Sequence, residues 1–328
     1  MQYRWTSIRE NELMKKLLFA LLAAAWVAAG VTPMDAEAAG KKKPARVTKH
    51  IKPVKHVRHS SRSHLRRASL DDPRHLALRS SAVMVQDQAT GAVLYEKNPN
   101  AVLPIASITK LMTAMVALDA QPSLAESLTI GEEDVDTVKG TRSRLKVGTQ
   151  LPREDMLRLA LMSSENRAAA ALSRHYPGGR SAFVAAMNAK AKALGLNDTR
   201  FEDPTGLTAA NVSSPRDLAK MVDAAHQYPL IREFTTTVEE EVTIAGRLQQ
   251  FRNTNTLVRN SNSSWDIGLS KTGYINEAGK CLVMQAWINS KPVIIVLLDS
   301  LGRMTRIGDA NRIKRWVETA SLPRLPAG

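Results

Sequence analysis

Apolar and polar positions along this chain change period several times, and each change marks an element. Val83 and Val85, then Val93 and Tyr95, alternate on either side of Asp87-Gln88-Ala89-Thr90-Gly91, the pattern of two strands joined by a tight turn. Leu111, Met112, Met115, Val116 and Leu118 then recur at helical spacing. A polar, Gly-punctuated stretch from Gln121 to Gln150 follows. Behind it Pro152-Arg153-Glu154-Asp155 reads as a helix start, feeding the apolar set Met156, Leu157, Leu159, Ala160 and Leu161. Further helices are expected over Ala168 to Leu172, over Ala182 to Leu194 with Gly195 as the stop, and from Pro215 to about Ala225 behind a Ser213-Ser214 cap.

The last third returns to strands. Glu240 to Ala245 and Leu248 to Phe251 read as short, peripheral strands. Ile267 to Ile275, Cys281 to Ile288 and Val293 to Leu298 are longer and more apolar. They are separated only by Asn276-Glu277-Ala278-Gly279 and Asn289-Ser290-Lys291-Pro292, connections too short for a crossover, so these strands run antiparallel. Ile307, Ala310, Ile313, Val317 and Ala320 then give a terminal helix with one apolar face to lay on that sheet. Strands, a helical middle and strands again make an α+β chain.

The N-terminal part follows a different pattern. Lys15-Lys16 precede an apolar run from Leu17 to Ala29, and Ala36-Glu37-Ala38 is a small-x-small cleavage site, so residues 1–38 read as an export signal cleaved near Ala38. Met14 is a candidate start. An apolar run of thirteen residues is short of the roughly 20 that span a bilayer, which argues against an anchor. The expected location of the mature protein is the periplasm.

Charge changes the picture only beyond that signal. Of the net charge of +15, eleven positive charges fall between Lys41 and Arg67, a segment with no acidic residue and hardly any large apolar one. Residues 39–78 are therefore expected to be a basic, disordered linker. Such a linker suits an anionic envelope surface; nucleic acid is not an expected partner of an exported protein. His50, His56, His59 and His64 lack metal-site spacing. A folded domain is left over residues 79–323, with a tail at 324–328. The lone Cys281 sits in a strand, has no partner for a disulfide, and reads as a buried core thiol.

Three short motifs carry candidate chemistry. Ser107-Ile108-Thr109-Lys110 opens the first apolar helix, which puts the Lys110 amine within reach of the Ser107 hydroxyl. A serine needs a base to attack at neutral pH, and a buried lysine becomes one when desolvation leaves its amine neutral. Ser143-Arg144-Leu145-Lys146 repeats the pattern, but Gly140 before it and Val147-Gly148-Thr149 after it suit a loop. Ser164-Glu165-Asn166, taken alone, reads as a helix N-cap with an acidic first turn. Lys271-Thr272-Gly273 lies in a strand, where a glycine marks a close approach of backbone or ligand and the bland alternative is a surface lysine. The motifs are each weak; their order and their spacing of 57 and 107 residues make a strong joint signal.

On these motifs the chain resembles the serine penicillin-binding protein and β-lactamase superfamily, and within it the small D-alanyl-D-alanine endopeptidases of the penicillin-binding protein 7 type. The resemblance runs from about Ser81 to Leu322 and includes Ser163-Ser164-Glu165-Asn166-Arg167-Ala168-Ala169 and Asp203-Pro204-Thr205-Gly206-Leu207. Glu165 departs from the Asp that many members carry between the Ser and the Asn. The resemblance implies an αβα arrangement, with an antiparallel five-stranded sheet flanked by helices plus a mostly helical subdomain. It also implies Ser107 as nucleophile, Lys110 as base and Ser164 as the group that passes a proton to the leaving amine. Asn166, Lys271, Thr272 and Gly273 would bind substrate, and the backbone N–H groups of Ser107 and Tyr274 would form the oxyanion hole. The implied partners are peptidoglycan stem peptides, with β-lactams as covalent inhibitors; no metal or organic cofactor is implied.

Competing classes leave different traces. A D,D-carboxypeptidase of the same fold shares every motif. A β-lactamase needs a second base for deacylation, and no E-x-x-L-N run follows Asn166; Glu202-Asp203-Pro204-Thr205-Gly206 does not match it. A wall-binding or sensor module without catalysis would have no use for Ser107, Lys110 and Lys271. His175 and His226 are not near a G-x-S-x-G, which leaves a Ser-His-Asp triad without support.

Overall fold

The computed structural model describes residues 76–260 and 262–320. The expected export signal, most of the basic linker and the C-terminal tail lie outside the described residues. The expected hairpin is present: β1 (Ser80–Asp87) and β2 (Val93–Lys97) pair antiparallel, with Val85 opposite Tyr95. After a two-residue strand β3 (Leu103–Pro104), a 3₁₀ turn over Ala106–Thr109 leads into α1 (Lys110–Asp119). Ser107 thus sits in the turn, one step before the helix whose start the sequence assigns to it.

The helical middle comprises α2 (Arg153–Met162), α3 (Asn166–Arg174), α4 (Gly179–Ala193), α5 (Pro215–His226) and α6 (Pro229–Thr236). The short strands β4 (Ser127–Thr129) and β5 (Gln150–Pro152) pair ahead of α2, and β6 (Val212–Ser213) pairs with β3 ahead of α5. The predicted cap of α5 holds: Ser214 accepts a hydrogen bond from the backbone N–H of Asp217. The cap that the Ser164 motif suggests when taken alone does not. Ser164 adopts φ +62°, and the N-cap position of α3 is Glu165, whose side chain makes no capping bond. Left-handed backbone at a residue with a Cβ costs on the order of 1 kcal/mol, so the Ser164 side chain is held by its surroundings.

The hairpin of β7 (Glu239–Ile244) and β8 (Arg247–Arg252) stands apart from the main sheet, and the single-turn α7 (Thr256–Arg259) follows it. It is peripheral in pairing only, since its Phe251 is fully buried. Then β9 (Asp266–Ile275), β10 (Gly279–Ile288) and β11 (Lys291–Ser300) run antiparallel, and α8 (Thr305–Ala320) closes the described chain. The main sheet has the order β2-β1-β11-β10-β9, which leaves β9 as an edge strand.

Both faces of this sheet are covered, which is why Val293-Ile294-Ile295-Val296-Leu297-Leu298 is apolar without a break. Val83, Val85, Leu282, Met284, Ile295 and Leu297 point to the α8 side, where Ile307, Ala310, Ile313 and Val317 meet them. Burial of Ile307, Ile313 and Val317 contributes about 2 kcal/mol each. Ala82, Met84, Val283, Ile294 and Val296 point to the other side and join the core of the helical middle. Within that core α1 is enclosed almost all round, with Leu111, Met112 and Met115 wholly buried. The turn at its N-terminus is therefore set by the core rather than by solvent-facing loops. Cys281 is fully buried and unpaired, and burial pushes its thiol up to about 11.

Candidate active site

The Ser107 turn is gripped from both sides by backbone. Ala106, immediately before it, has φ +48°. On one side Gly206, at φ +82°, lies so close that a Cβ there would stand 2.0 Å from the Ala106 carbonyl oxygen and 2.9 Å from the Ser107 nitrogen. On the other side a Cβ on Gly273 would stand 2.8 Å from the Ile105 carbonyl oxygen and 3.3 Å from the Ser107 nitrogen. Only glycine fits either place, and the KTG glycine thereby brings the edge strand β9 against the serine turn.

The loop that carries Gly206 is built by one carboxylate. Asp203 accepts hydrogen bonds from the N–H groups of Thr205, Gly206 and Thr208 and from the Thr205 hydroxyl. Asn211 ties the loop to the serine turn, donating to Thr109 Oγ1 at 3.0 Å and to the Asp203 carbonyl at 2.8 Å. The loop in turn offers the Thr205 carbonyl to Lys110.

Lys110 is wholly buried, and its Nζ lies 2.9 Å from Ser107 Oγ, 2.7 Å from Asn166 Oδ1 and 2.7 Å from the Thr205 carbonyl. Burial lowers its pKa to about 7, partly offset by the charges of Asp203 and Glu165. As an ammonium Lys110 donates to all three oxygens; as a neutral amine it keeps two N–H bonds, to the carbonyl and amide oxygens, and turns its lone pair to the serine hydroxyl. Lys271, also buried, lies with Nζ 2.9 Å from Ser164 Oγ and 3.1 Å from the Thr272 carbonyl. Its pKa falls well below the usual lysine value, through burial first and then through the neighbouring charges of Lys110 and Arg306.

The three motifs, distant in sequence, thus meet around one serine. The left-handed Ser164 bridges toward Lys271, and Asn166 bridges toward Lys110. Thr272 Oγ1 bonds Thr254 Oγ1 at 2.6 Å, and Tyr274 is exposed, with its ring under the Lys280 amine. Ser143 of the second S-x-x-K has a different partner: its hydroxyl donates to Glu165 Oε2 at 2.7 Å, in the loop expected for it. Glu165 is itself buried, so the longer acid in the S-x-N motif serves to pin the 141–145 loop.

Several neighbours carried no sequence signal. Thr141 accepts from Asn166 Nδ2 at 3.0 Å. Arg306, at the start of α8, donates to the carbonyls of Gly273 and Cys281, and among the described residues it pairs with no carboxylate. Its positive charge therefore adds to that of the KTG strand. A cleft of about 440 Å³ opens beside Asn166 and Thr205 and is walled by residues 132–138.

Comparison with known proteins shows the family. The family model described as D-alanyl-D-alanine carboxypeptidase, peptidase S11, matches residues 68–302. A D-alanyl-D-alanine endopeptidase of Pseudomonas aeruginosa is 52% identical over 254 residues, covering 76% of this chain and 81% of that protein. One from Escherichia coli is 50% identical over 250 residues, covering 76% and 80%. The crystal structure of the Streptomyces K15 DD-transpeptidase superposes with a TM-score of 0.68 at 30% identity, over 73% of this chain and 97% of that one. With a matched family model over most of its length and relatives at half identity, the chain belongs to the D-alanyl-D-alanine carboxypeptidase family, peptidase S11.

Proposed function

We propose that this chain is a serine D-alanyl-D-alanine endopeptidase that opens D-Ala-containing peptide cross-links of peptidoglycan through an acyl-enzyme. The observation that carries the reading is Lys110: a wholly buried amine with a pKa of about 7, against Ser107 Oγ at 2.9 Å. In this reading the Ser107 proton passes to Lys110 as Oγ bonds the D-Ala carbonyl carbon. The backbone N–H groups of Ser107 and Tyr274 hold the oxyanion. The C–N bond then breaks as Ser164, beside the Lys271 amine, hands its proton to the leaving nitrogen and is restored by the proton that Lys110 took from Ser107. Lys110, neutral again, takes a proton from the attacking water and returns it to Ser107 Oγ as the ester C–O bond breaks. Asn166 and Thr272 hold the substrate peptide and its carboxylate, and Gly273 lets the chain lie against β9.

The same machinery accepts β-lactams. Release of that adduct should be slow, because the nearby carboxylates are already engaged: Asp203 by backbone N–H groups, Glu165 by Ser143. This argues against a β-lactamase. Residues 1–38 would direct export to the periplasm, with cleavage near Ala38, and the basic residues 41–67 would tether domain 79–323 to an anionic envelope surface.

Carboxypeptidase action is the second reading, favoured by the description of the matching family model. One digestion of purified muropeptides separates the two. An endopeptidase converts cross-linked dimers to monomers and spares pentapeptide monomers; trimming of pentapeptides with dimers left intact would establish the carboxypeptidase.

A further inference from the structure

Contacts around Ser107 close a ring. Ser107 meets Lys110, Lys110 meets Asn166, and Asn166 Nδ2 reaches Thr141. Two residues before Thr141, Lys139 Nζ reaches across to Glu277 Oε1 at 2.5 Å. Glu277 lies in the turn between β9 and β10, beyond Tyr274 and Gly273, whose backbone abuts the Ser107 turn. The segment 136–141 therefore spans from the N-terminus of α3 to the end of β9.

This segment is organised before it is attached. Asp136 Oδ1 accepts from the N–H groups of Val138 and Lys139, and Oδ2 from the N–H and hydroxyl of Thr141. Burial pushes the Asp136 carboxyl up, but these bonds together outweigh it and hold the carboxyl below its usual pKa. Asp136 thus presents Lys139 on a formed loop, while the attachment to Glu277 is a solvent-accessible ion pair, with side chains 29% and 43% exposed. Such pairs are weak and screened by salt. A firm loop on a weak fastening is suited to parting and reclosing.

What would part it is a peptide. β9 is the edge of the sheet, and an extended chain laid along that edge beyond Thr272 would run toward the Glu277 turn. We propose that Lys139 and Glu277 form a strap across this groove, and that it must open for a cross-linked peptide, which carries chain on both sides of the scissile bond, while small D-Ala-D-Ala peptides and β-lactams reach Ser107 beneath it. The inference rests on the endopeptidase reading above and adds the residues that discriminate among its substrates.

The test compares kcat/KM for a purified cross-linked muropeptide dimer with kcat/KM for a small D-Ala-D-Ala peptide. Lys139→Met and Glu277→Gln should each raise the dimer-to-small ratio about two- to fivefold. The reversed pair, Lys139→Glu with Glu277→Lys, should return it to the wild-type value. Added salt should raise the wild-type ratio and leave that of the single variants unchanged. An unchanged or lower ratio in the single variants overturns the strap, as does a reversed pair that stays raised, which would signify a loosened loop. Fluorescent penicillin labelling is run alongside and should be equal in all forms. Failure of the wild type to label would overturn the underlying enzymatic reading and the strap with it, whereas normal labelling with a flat ratio removes the strap alone.

Discussion

Replacing Lys110 by Arg keeps a basic, hydrogen-bond-donating head at the centre of the site and removes its ability to become neutral. With a pKa of about 7, roughly nine in ten Lys110 amines are neutral at pH 8 and available to take the Ser107 proton. A guanidinium with a pKa above about 12 is neutral in fewer than about one molecule in 10⁴ at that pH. The acylation rate should therefore fall by about 10³–10⁴, or about 4–6 kcal/mol in the barrier. The larger head must also fit a space bounded by Asn166 Oδ1 and the Thr205 carbonyl, both within 2.7 Å of the lysine nitrogen, so the stability of the variant is measured in parallel. The assay is the second-order rate of labelling by a fluorescent penicillin between about pH 5 and about pH 9. The wild-type rate should rise about tenfold per pH unit below pH 7 and flatten above it. A folded Lys110→Arg variant acylating within tenfold of wild type, or a flat wild-type profile, would refute Lys110 as the base.

The same lysine sets a stability trend: its folded pKa of about 7 lies below the ordinary lysine value of 10.5, so the unfolded chain binds the extra proton and stability should climb as pH rises between these values. Lys110→Met should flatten that part of the thermal-denaturation profile, and an unaltered slope would contradict the assigned burial cost. Gly206→Ala, which places a methyl 2.0 Å from the Ala106 carbonyl at a backbone angle of +82°, should cost about 2–3 kcal/mol in chemical denaturation and slow acylation; near-wild-type values for both would show that the two loops are not clamped as described. Deleting residues 41–67 should leave turnover of a small soluble substrate unchanged while lowering binding to sacculi and anionic vesicles at low salt; unchanged sedimentation, or lost turnover, would exclude a tether.

The sheet and most helices were legible because their signals are local: alternation at Val83 and Val85, short connections at Asn276 to Gly279, and helical recurrence from Ile307 to Val317. Ser107, Lys110, Ser164, Asn166 and Lys271 were legible because each belongs to a short motif, and the structure brings them together. The left-handed backbone that sets Ser164 apart from the helix cap its motif alone suggests was not legible, because tertiary contacts impose it and no local pattern encodes it. Arg306 was missed for a related reason. Its partners are main-chain carbonyls 33 and 25 residues away, and a carbonyl leaves no trace in a sequence. Thr205 acts on Lys110 through its carbonyl too, so the family resemblance could take in the Asp203-to-Leu207 block without showing its part in the site.

Identification of the acylated residue tests the central claim most directly. The protein is incubated with benzylpenicillin, digested, and the adduct located by tandem mass spectrometry in wild type and in Ser107→Ala. The account predicts one adduct, on Ser107, long-lived in the wild type and absent from the variant. An adduct on Ser143, or one that persists in Ser107→Ala, would contradict it.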